Sequence, residues 1–273
     1  MKSATINGRV IAVTGGAQGI GKEIVRQLAE RGAFVAIGDF NTAKAAETVA
    51  ELRGEVVAFE LDVTSTESYD AFLAEVEAKW GPLDVLVNNA GVMWVGKFDE
   101  EPESWTQRQL DINLHGVLRG VKLVGPKMRA RRAGHIVTVA SAASKLPTPG
   151  EATYSATKHG VYGYLKTLKE ELRGSSVELS IVMPTVVDTE LAKGTSSGAA
   201  TMLQPADVAQ AVVDVIERPR FEVMLPRYVN PVIRVVNVLP EMVRDLVFRR
   251  LVPNQVTSTD NASREEYQSR SDD

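Results

Sequence analysis

At 273 residues, with 44% hydrophobic and 24% charged residues, the chain has the makeup of an ordinary globular protein. It is long enough for a full core and near the size at which one core stops growing, so a single domain over 1–252 is expected. A net charge of −4 gives no reason to expect nucleic acid and favours a small-molecule ligand; zero cysteines exclude disulfides, thiolate metal sites and a cysteine nucleophile.

Only Met1 to Gly8 precede the first apolar run, too few for a secretory signal, and no run approaches the roughly 18 apolar residues that span a bilayer. A soluble cytoplasmic protein is expected. Val10 to Val13 read as a buried strand ending in a glycine turn, after which Ile20, Ile24 and Leu28 recur at helical spacing until Gly32 stops the helix. The unit repeats. Ala33 to Ile37 is a strand, about Asn41 to Arg53 a helix and Val56 to Leu61 a strand; Thr64 and Glu67 read as a capping box opening a helix that ends at Gly81-Pro82. Leu83 to Val87 and His135 to Ala140 are strands flanking a helical region from about Pro102 to Arg131, with further strands at Val177 to Met183 and Phe221 to Leu225. His115, His135 and His159 lack metal-ligand spacing, so no metal is expected.

Strands alternating with helices demand parallel pairing, and apolar runs without alternation mean that both faces are covered. The expected fold is therefore α/β: a doubly wound parallel sheet (Rossmann fold) of about seven strands with helices on both faces. Residues 188–204, rich in Gly, Ser, Thr and Ala, suit a mobile substrate lid, with a plain surface loop as the alternative. A helical extension is expected near 231–252, and a polar, disordered tail over 253–273.

Gly15, Gly19 and Gly21 in the turn after the first strand allow a tight bend and let the N-terminal amides of the next helix, from Gln18 and Ile20 onward, face a pyrophosphate. Glycine serves ordinary turns as well, so position carries this reading. Asp39 closes the second strand, where a carboxylate accepts from both ribose hydroxyls of NAD and repels the 2'-phosphate of NADP. NAD is thus expected over NADP; a helix-capping role is the alternative for Asp39. Gln18 agrees, since an arginine there would have offered a phosphate partner. Asp62, with Val63 beside it, can accept from the adenine amino group or serve only as a turn residue. Asn88-Asn89-Ala90-Gly91 ends the fourth strand with small and amide side chains where the dinucleotide would cross.

Tyr154 and Lys158 lie at i and i+4 on a helix whose Val161, Leu165, Leu168 and Leu172 form an inward stripe. An ammonium on the same face as a phenol favours phenolate, so Lys158 is expected to lower the Tyr154 pKa and fit it for proton exchange with an alcohol or carbonyl oxygen. Ser141, at the end of the fifth strand, can donate to that oxygen; a turn or cap serine is the alternative. Ser141 is not flanked by the glycines of a G-x-S-x-G elbow, so a hydrolase role for it lacks its scaffold.

From Asn7 to Leu225 the chain resembles a classical short-chain dehydrogenase/reductase. Thr14 to Gly21 is similar to that family's TGxxxGxG turn, Asn88 to Gly91 to its NNAG motif, and Asn113, Ser141, Tyr154 and Lys158 to its catalytic set. The resemblance implies that Tyr154 is the general acid/base, Lys158 lowers its pKa and binds the nicotinamide ribose, Ser141 orients the substrate oxygen, and Asn113 helps hold a water-linked proton path to Lys158. By itself Asn113 reads only as a polar residue in a long helix. Pro184 and Thr189 fit the family's Pro-Gly-x-x-x-Thr, with Thr189 toward the carboxamide; Thr185 replaces the glycine and crowds the nicotinamide side.

Met93, Trp94, Leu146, Val186, Leu191 and Met202 are expected to line an apolar substrate site, which suits a hydrophobic secondary alcohol or ketone. An isomerase or dehydratase on the same scaffold and a non-catalytic NAD-responsive binding protein are the alternatives. The family resemblance implies a homodimer or homotetramer. Residues 231–252 carry an apolar face bordered by arginines, broken at Pro240; packing within the protein or between subunits is expected, with peripheral membrane contact as the less favoured reading.

Overall fold

The computed structural model describes residues 5–198 and 201–270. Seven strands, β1 (Val10–Thr14), β2 (Phe34–Asp39), β3 (Glu55–Glu60), β4 (Val85–Asn88), β5 (Gly134–Val139), β6 (Val177–Pro184) and β7 (Glu222–Leu225), form one sheet. Their order is β3-β2-β1-β4-β5-β6-β7 and every pair is parallel. The doubly wound sheet expected from the sequence is what forms. Helices α1 (Gly19–Ala29), α2 (Thr42–Glu51), α3 (Thr66–Trp80), α4 (Glu103–Gln109), α5 (Gly116–Arg131), α6 (Ala152–Glu171) and α7 (Pro205–Glu217) provide the connections.

Alternation along each strand splits the core in two. Ile11 and Val13 of β1 point to the side covered by α1 and α7, where Ile24, Leu28, Val208, Val212 and Ile216 are fully buried. Val10 and Ala12 point to the other side, beneath Tyr69 and Phe72 of α3, Val121 and Met128 of α5, and Val161 and Leu165 of α6. Each large side chain so buried contributes about 2 kcal/mol. Both layers are needed because a two-sided apolar sheet would otherwise meet water.

Local expectations shift in three places. The capping pair of α3 is Ser65 accepting from the Ser68 amide at 3.1 Å, one residue beyond Thr64, because Thr64 is drawn back onto Asp62 Oδ1 by its amide at 2.8 Å and its hydroxyl at 2.7 Å. The helical region from 102 to 131 is broken by a π-helical turn over Leu110–His115 between α4 and α5. The tail is ordered in helices: α8 (Val229–Val236) and α9 (Glu241–Leu251), separated at Pro240, lead into α10 (Gln255–Ser258) and α11 (Asn261–Arg270).

The disordered tail expected over 253–273 is thus corrected for residues 255–258 and 261–270; residues 271–273 lie outside the described residues. Few apolar residues are needed, because the segment is held by polar contacts. Gln255 exchanges two hydrogen bonds with the Ser196 backbone, at 2.9 and 2.8 Å, and its own amide donates to Pro149 O at 2.9 Å. Arg264, 2% exposed, donates to the carbonyls of Leu191, at 2.7 Å, and Met93. Across 188–204 the chain forms a short 3-10 turn at Glu190–Ala192 and a bridge between Val187 and Leu203; Ala199 and Ala200 of that stretch lie outside the described residues.

Candidate active site

Strand order reverses between β1 and β4, and in an open parallel sheet the crevice beyond the strand ends at that reversal is where ligands bind. A cleft of about 1200 Å³ opens there, reaching from Asp39 and Asp62 past Gly15 and Ala90 to Ser141 and Tyr154. Thr14 and Asn89 stitch its floor. The Thr14 hydroxyl accepts from the amides of Asn89 and Ala90 at 3.0 and 3.1 Å, while Asn89 Nδ2 donates to Thr14 O and Gly15 O at 3.1 and 2.9 Å.

The glycine turn leaves no room for side chains. Gly15 has φ +63°, and a Cβ there would stand 2.9 Å from Ala90 Cα; a Cβ on Gly21 would stand 2.0 Å from Gly15 O. The first turn of α1, at Gly19, Ile20 and Gly21, faces the cleft, and no hydrogen bond from the Gln18 side chain caps it. Free amides at a helix N-terminus make a cradle for a phosphate group. Asp39 braces this turn by accepting from the Ala17 amide through Oδ2 and the Asn41 amide through Oδ1, each at 3.0 Å. Asn41 caps α2, accepting from Lys44 N at 2.9 Å, so Asp39 acts one step before the cap. Each carboxylate oxygen retains acceptor capacity toward the cleft. Asp62 and Val63 also line it, although Asp62 Oδ1 already serves its turn. A dinucleotide therefore fits the donor set and bare backbone of this end.

At the other end the Ser141 hydroxyl accepts from Ala143 N at 3.1 Å and lies close enough to the Tyr154 phenol to act on its pKa. The Lys158 ammonium lies 5.4 Å from the Tyr154 ring centroid. Both side chains are buried, at 7% and 5% exposure, and Tyr154 packs with Met93, Val95 and Ala143. Burial raises the phenol's pKa well above its ordinary value; the Glu151 carboxyl adds to the shift and the Ser141 hydroxyl opposes it. Burial lowers the Lys158 pKa to about 8. The expectation that Lys158 lowers the Tyr154 pKa is not met among the protein's own groups: burial sets the direction of the shift, and Lys158 is not among the groups that oppose it.

Asn113 sits inside the π-helical turn, which re-aims a side chain that a regular helix would direct elsewhere. Its amide clamps the loop after β4, accepting from Val92 N and donating to Val92 O, both at 2.8 Å, with a 3.4 Å contact to Thr157 Oγ1. Pro184, Thr185 and Thr189 line the cleft, with Thr189 Cγ2 3.6 Å from where a Cβ on Gly19 would lie. Thr185 Oγ1 is buried without a hydrogen-bond partner, a polar atom left for a ligand group.

Met93, Leu146, Val186 and Leu191 line the substrate side as expected. Trp94 and Met202 are corrected: Trp94 is buried outside the cleft, its amide held by Gln109, and Met202 is 40% exposed. Sequence reasoning missed Glu151, Gln255 and Tyr267, which also line the cleft. Nothing in the sequence context of Gln255 and Tyr267 marks them, since α10 and α11 reach the site only by folding back across it, whereas Glu151 stands three residues before Tyr154 at the start of α6.

The short chain dehydrogenase family model matches residues 9–200. This chain belongs to the short-chain dehydrogenase family. The 2,3-dihydro-2,3-dihydroxybenzoate dehydrogenase of Bacillus subtilis is 34% identical over 194 residues, covering 70% of this chain and 74% of the relative. A short-chain dehydrogenase/reductase from Burkholderia phymatum, solved with NAD, superposes with a TM-score of 0.79 at 25% identity, over 94% of this chain and 98% of that one. A metagenomic short-chain oxidoreductase solved with NADP gives 0.69 at 30% identity, over 81% and 97%. Membership makes the chain an NAD(P)-dependent oxidoreductase, a dehydrogenase or reductase.

Proposed function

We propose that this short-chain dehydrogenase uses NAD(H) to interconvert an apolar secondary alcohol and its ketone, with Tyr154 as general acid/base. The observation that carries the reading is the buried Tyr154 phenol set beside the Ser141 hydroxyl, with the Lys158 ammonium over the same ring. A nicotinamide dinucleotide, when bound, supplies the hydride acceptor or donor. The amides of Gly19, Ile20 and Gly21 would hold its pyrophosphate, and Asp39 its adenosine ribose.

A phenol kept protonated by burial is ready to donate to a carbonyl oxygen as it gains charge. Ser141 donates to the same oxygen and fixes its place. In the reverse direction the phenol must give up its proton before it can accept one, and Lys158, at about 8, carries the positive charge that favours this step at neutral pH. Asn113 keeps the 91–93 loop in register. Met93, Leu146 and Leu191 exclude water from the reacting carbon and select an apolar substrate. Residues 188–204 serve as its lid, and the enzyme works as a homo-oligomer.

The test follows NADH absorbance against apolar secondary alcohols and ketones. Tyr154→Phe should lose about 10²- to 10⁴-fold in turnover while nucleotide binding, read by fluorescence titration, persists. Turnover retained in that variant would refute the assignment.

A further inference from the structure

The surface made by α8 and α9 exposes apolar side chains that nothing covers. On α8, Ile233 and Val236 pack inward, at 3% and 5% exposure, while Val232 and Val235 stand out at 41% and 63%. No residue of α9 is buried. Met242 is 87% exposed, Val238 on the connector 81%, and Val243, Leu246 and Leu251 face water with them. A run of this kind across two consecutive helices marks a surface meant to meet a partner.

The charges around it are one-sided. Between 227 and 252 stand five arginines and two carboxylates, a net +3 in a chain of net −4. The two carboxylates are engaged: Glu241 and Asp245 lie 3.9 and 3.7 Å from Arg244. Arg249 and Arg250, three and four residues after Leu246 and so on its helical face, form no ion pair among the described residues. They remain available to an external anion. The same helices line the mouth of the cleft through Tyr228, Val229, Val232, Ile233, Phe248 and Leu251.

We propose that α8 and α9 dock on an anionic lipid surface, with Val235, Val238, Met242 and Leu246 in the acyl boundary, Arg249 and Arg250 at the phosphates, and the cleft mouth toward the bilayer. Among the described residues no helix is long and apolar enough to cross a membrane, so the contact is interfacial. A second copy of the chain fits less well: a twofold contact sets this net-positive patch against itself, whereas a lipid surface supplies fixed anions. Apolar substrates dissolved in the bilayer would then enter without crossing water. The docking itself does not depend on the redox reading.

Co-sedimentation of the full-length protein with phosphatidylcholine vesicles, with and without about 30% phosphatidylglycerol, tests it. Binding should require the anionic lipid and be lost at about 1 M salt, where screening shortens to about 3 Å. Val238→Glu/Met242→Glu should lower partitioning at least about tenfold with circular dichroism and turnover in solution unchanged. Arg249→Ser and Arg250→Ser should each lower it about fivefold. No binding to anionic vesicles, equal partitioning of the glutamate variant, or a dimer that this variant dissociates with no vesicle binding by either protein would overturn the proposal.

Discussion

Glu151 gives the most direct quantitative check on the electrostatics of the site. It stands at the N-cap position of α6 without a capping hydrogen bond from its side chain and is 6% exposed, and burial, opposed by Thr148 and by Arg264, raises its pKa to about 7 from 4.5. A pKa raised on folding contributes its stability below the unfolded value and loses it as pH climbs through the folded one. Between pH 4.5 and about 7 the unfolded chain has released the proton that the folded chain still holds. At about 1.4 kcal/mol per unit, stability therefore declines by about 3 kcal/mol across that window and is flat above it. Glu151→Gln keeps an acceptor for Thr148 and removes the titration. Urea unfolding at a series of pH values should find variant and wild type close at pH about 4.5 and the variant about 3 kcal/mol more stable at pH about 8. The Glu151 charge also raises the Tyr154 pKa, so the variant's acid limb for alcohol oxidation should move to lower pH. A stability difference that does not change with pH, or a limb moving upward, would refute this reasoning.

Asp39→Ala removes the charge that would repel a 2'-phosphate together with the brace on Ala17, so kcat/KM for NAD should fall and the NADP-to-NAD ratio should rise at least about tenfold in a steady-state comparison. An unchanged ratio would show that Asp39 does not select the cofactor. Arg264→Met leaves the Met93 and Leu191 carbonyls without their buried donor, at a cost of about 1–3 kcal/mol each where water cannot replace it. Hydrogen exchange should quicken at 190–195 and the substrate KM should rise more than kcat falls.

The sheet was legible because its signal is local. Gly15 and Gly21 mark a turn whose backbone has no space for a Cβ, and Val10 to Val13 mark a strand buried on both faces. The catalytic quartet followed from order along the chain and from resemblance to the family. What stayed hidden depends on side chains far apart in sequence. Asn113 reads as one polar residue in a helix, and only the π-helical turn, which the residue pattern does not announce, swings its amide onto Val92. The raised pKa of Tyr154 was likewise inaccessible. A spacing of four residues places Lys158 on the right face but says nothing of how far either group is withdrawn from water, and burial decides the sign.

The C-terminal helices failed for the opposite reason, since their composition pointed the wrong way. A stretch poor in apolar residues has too little hydrophobic gain to order itself as an isolated chain. Here order comes from outside, through Arg264, Gln255 and the 3.0 Å pair between Lys193 and Glu266, all joining 255–270 to the loops over the cleft. Such order is conditional on those loops being in place, because each bond has one partner on the tail and one on residues 93–196. Loosening either side therefore loosens both, and the Arg264→Met variant should raise exchange in the tail and over the substrate side together. Faster exchange confined to the tail would mean that the strap only rests on the site and does not hold it.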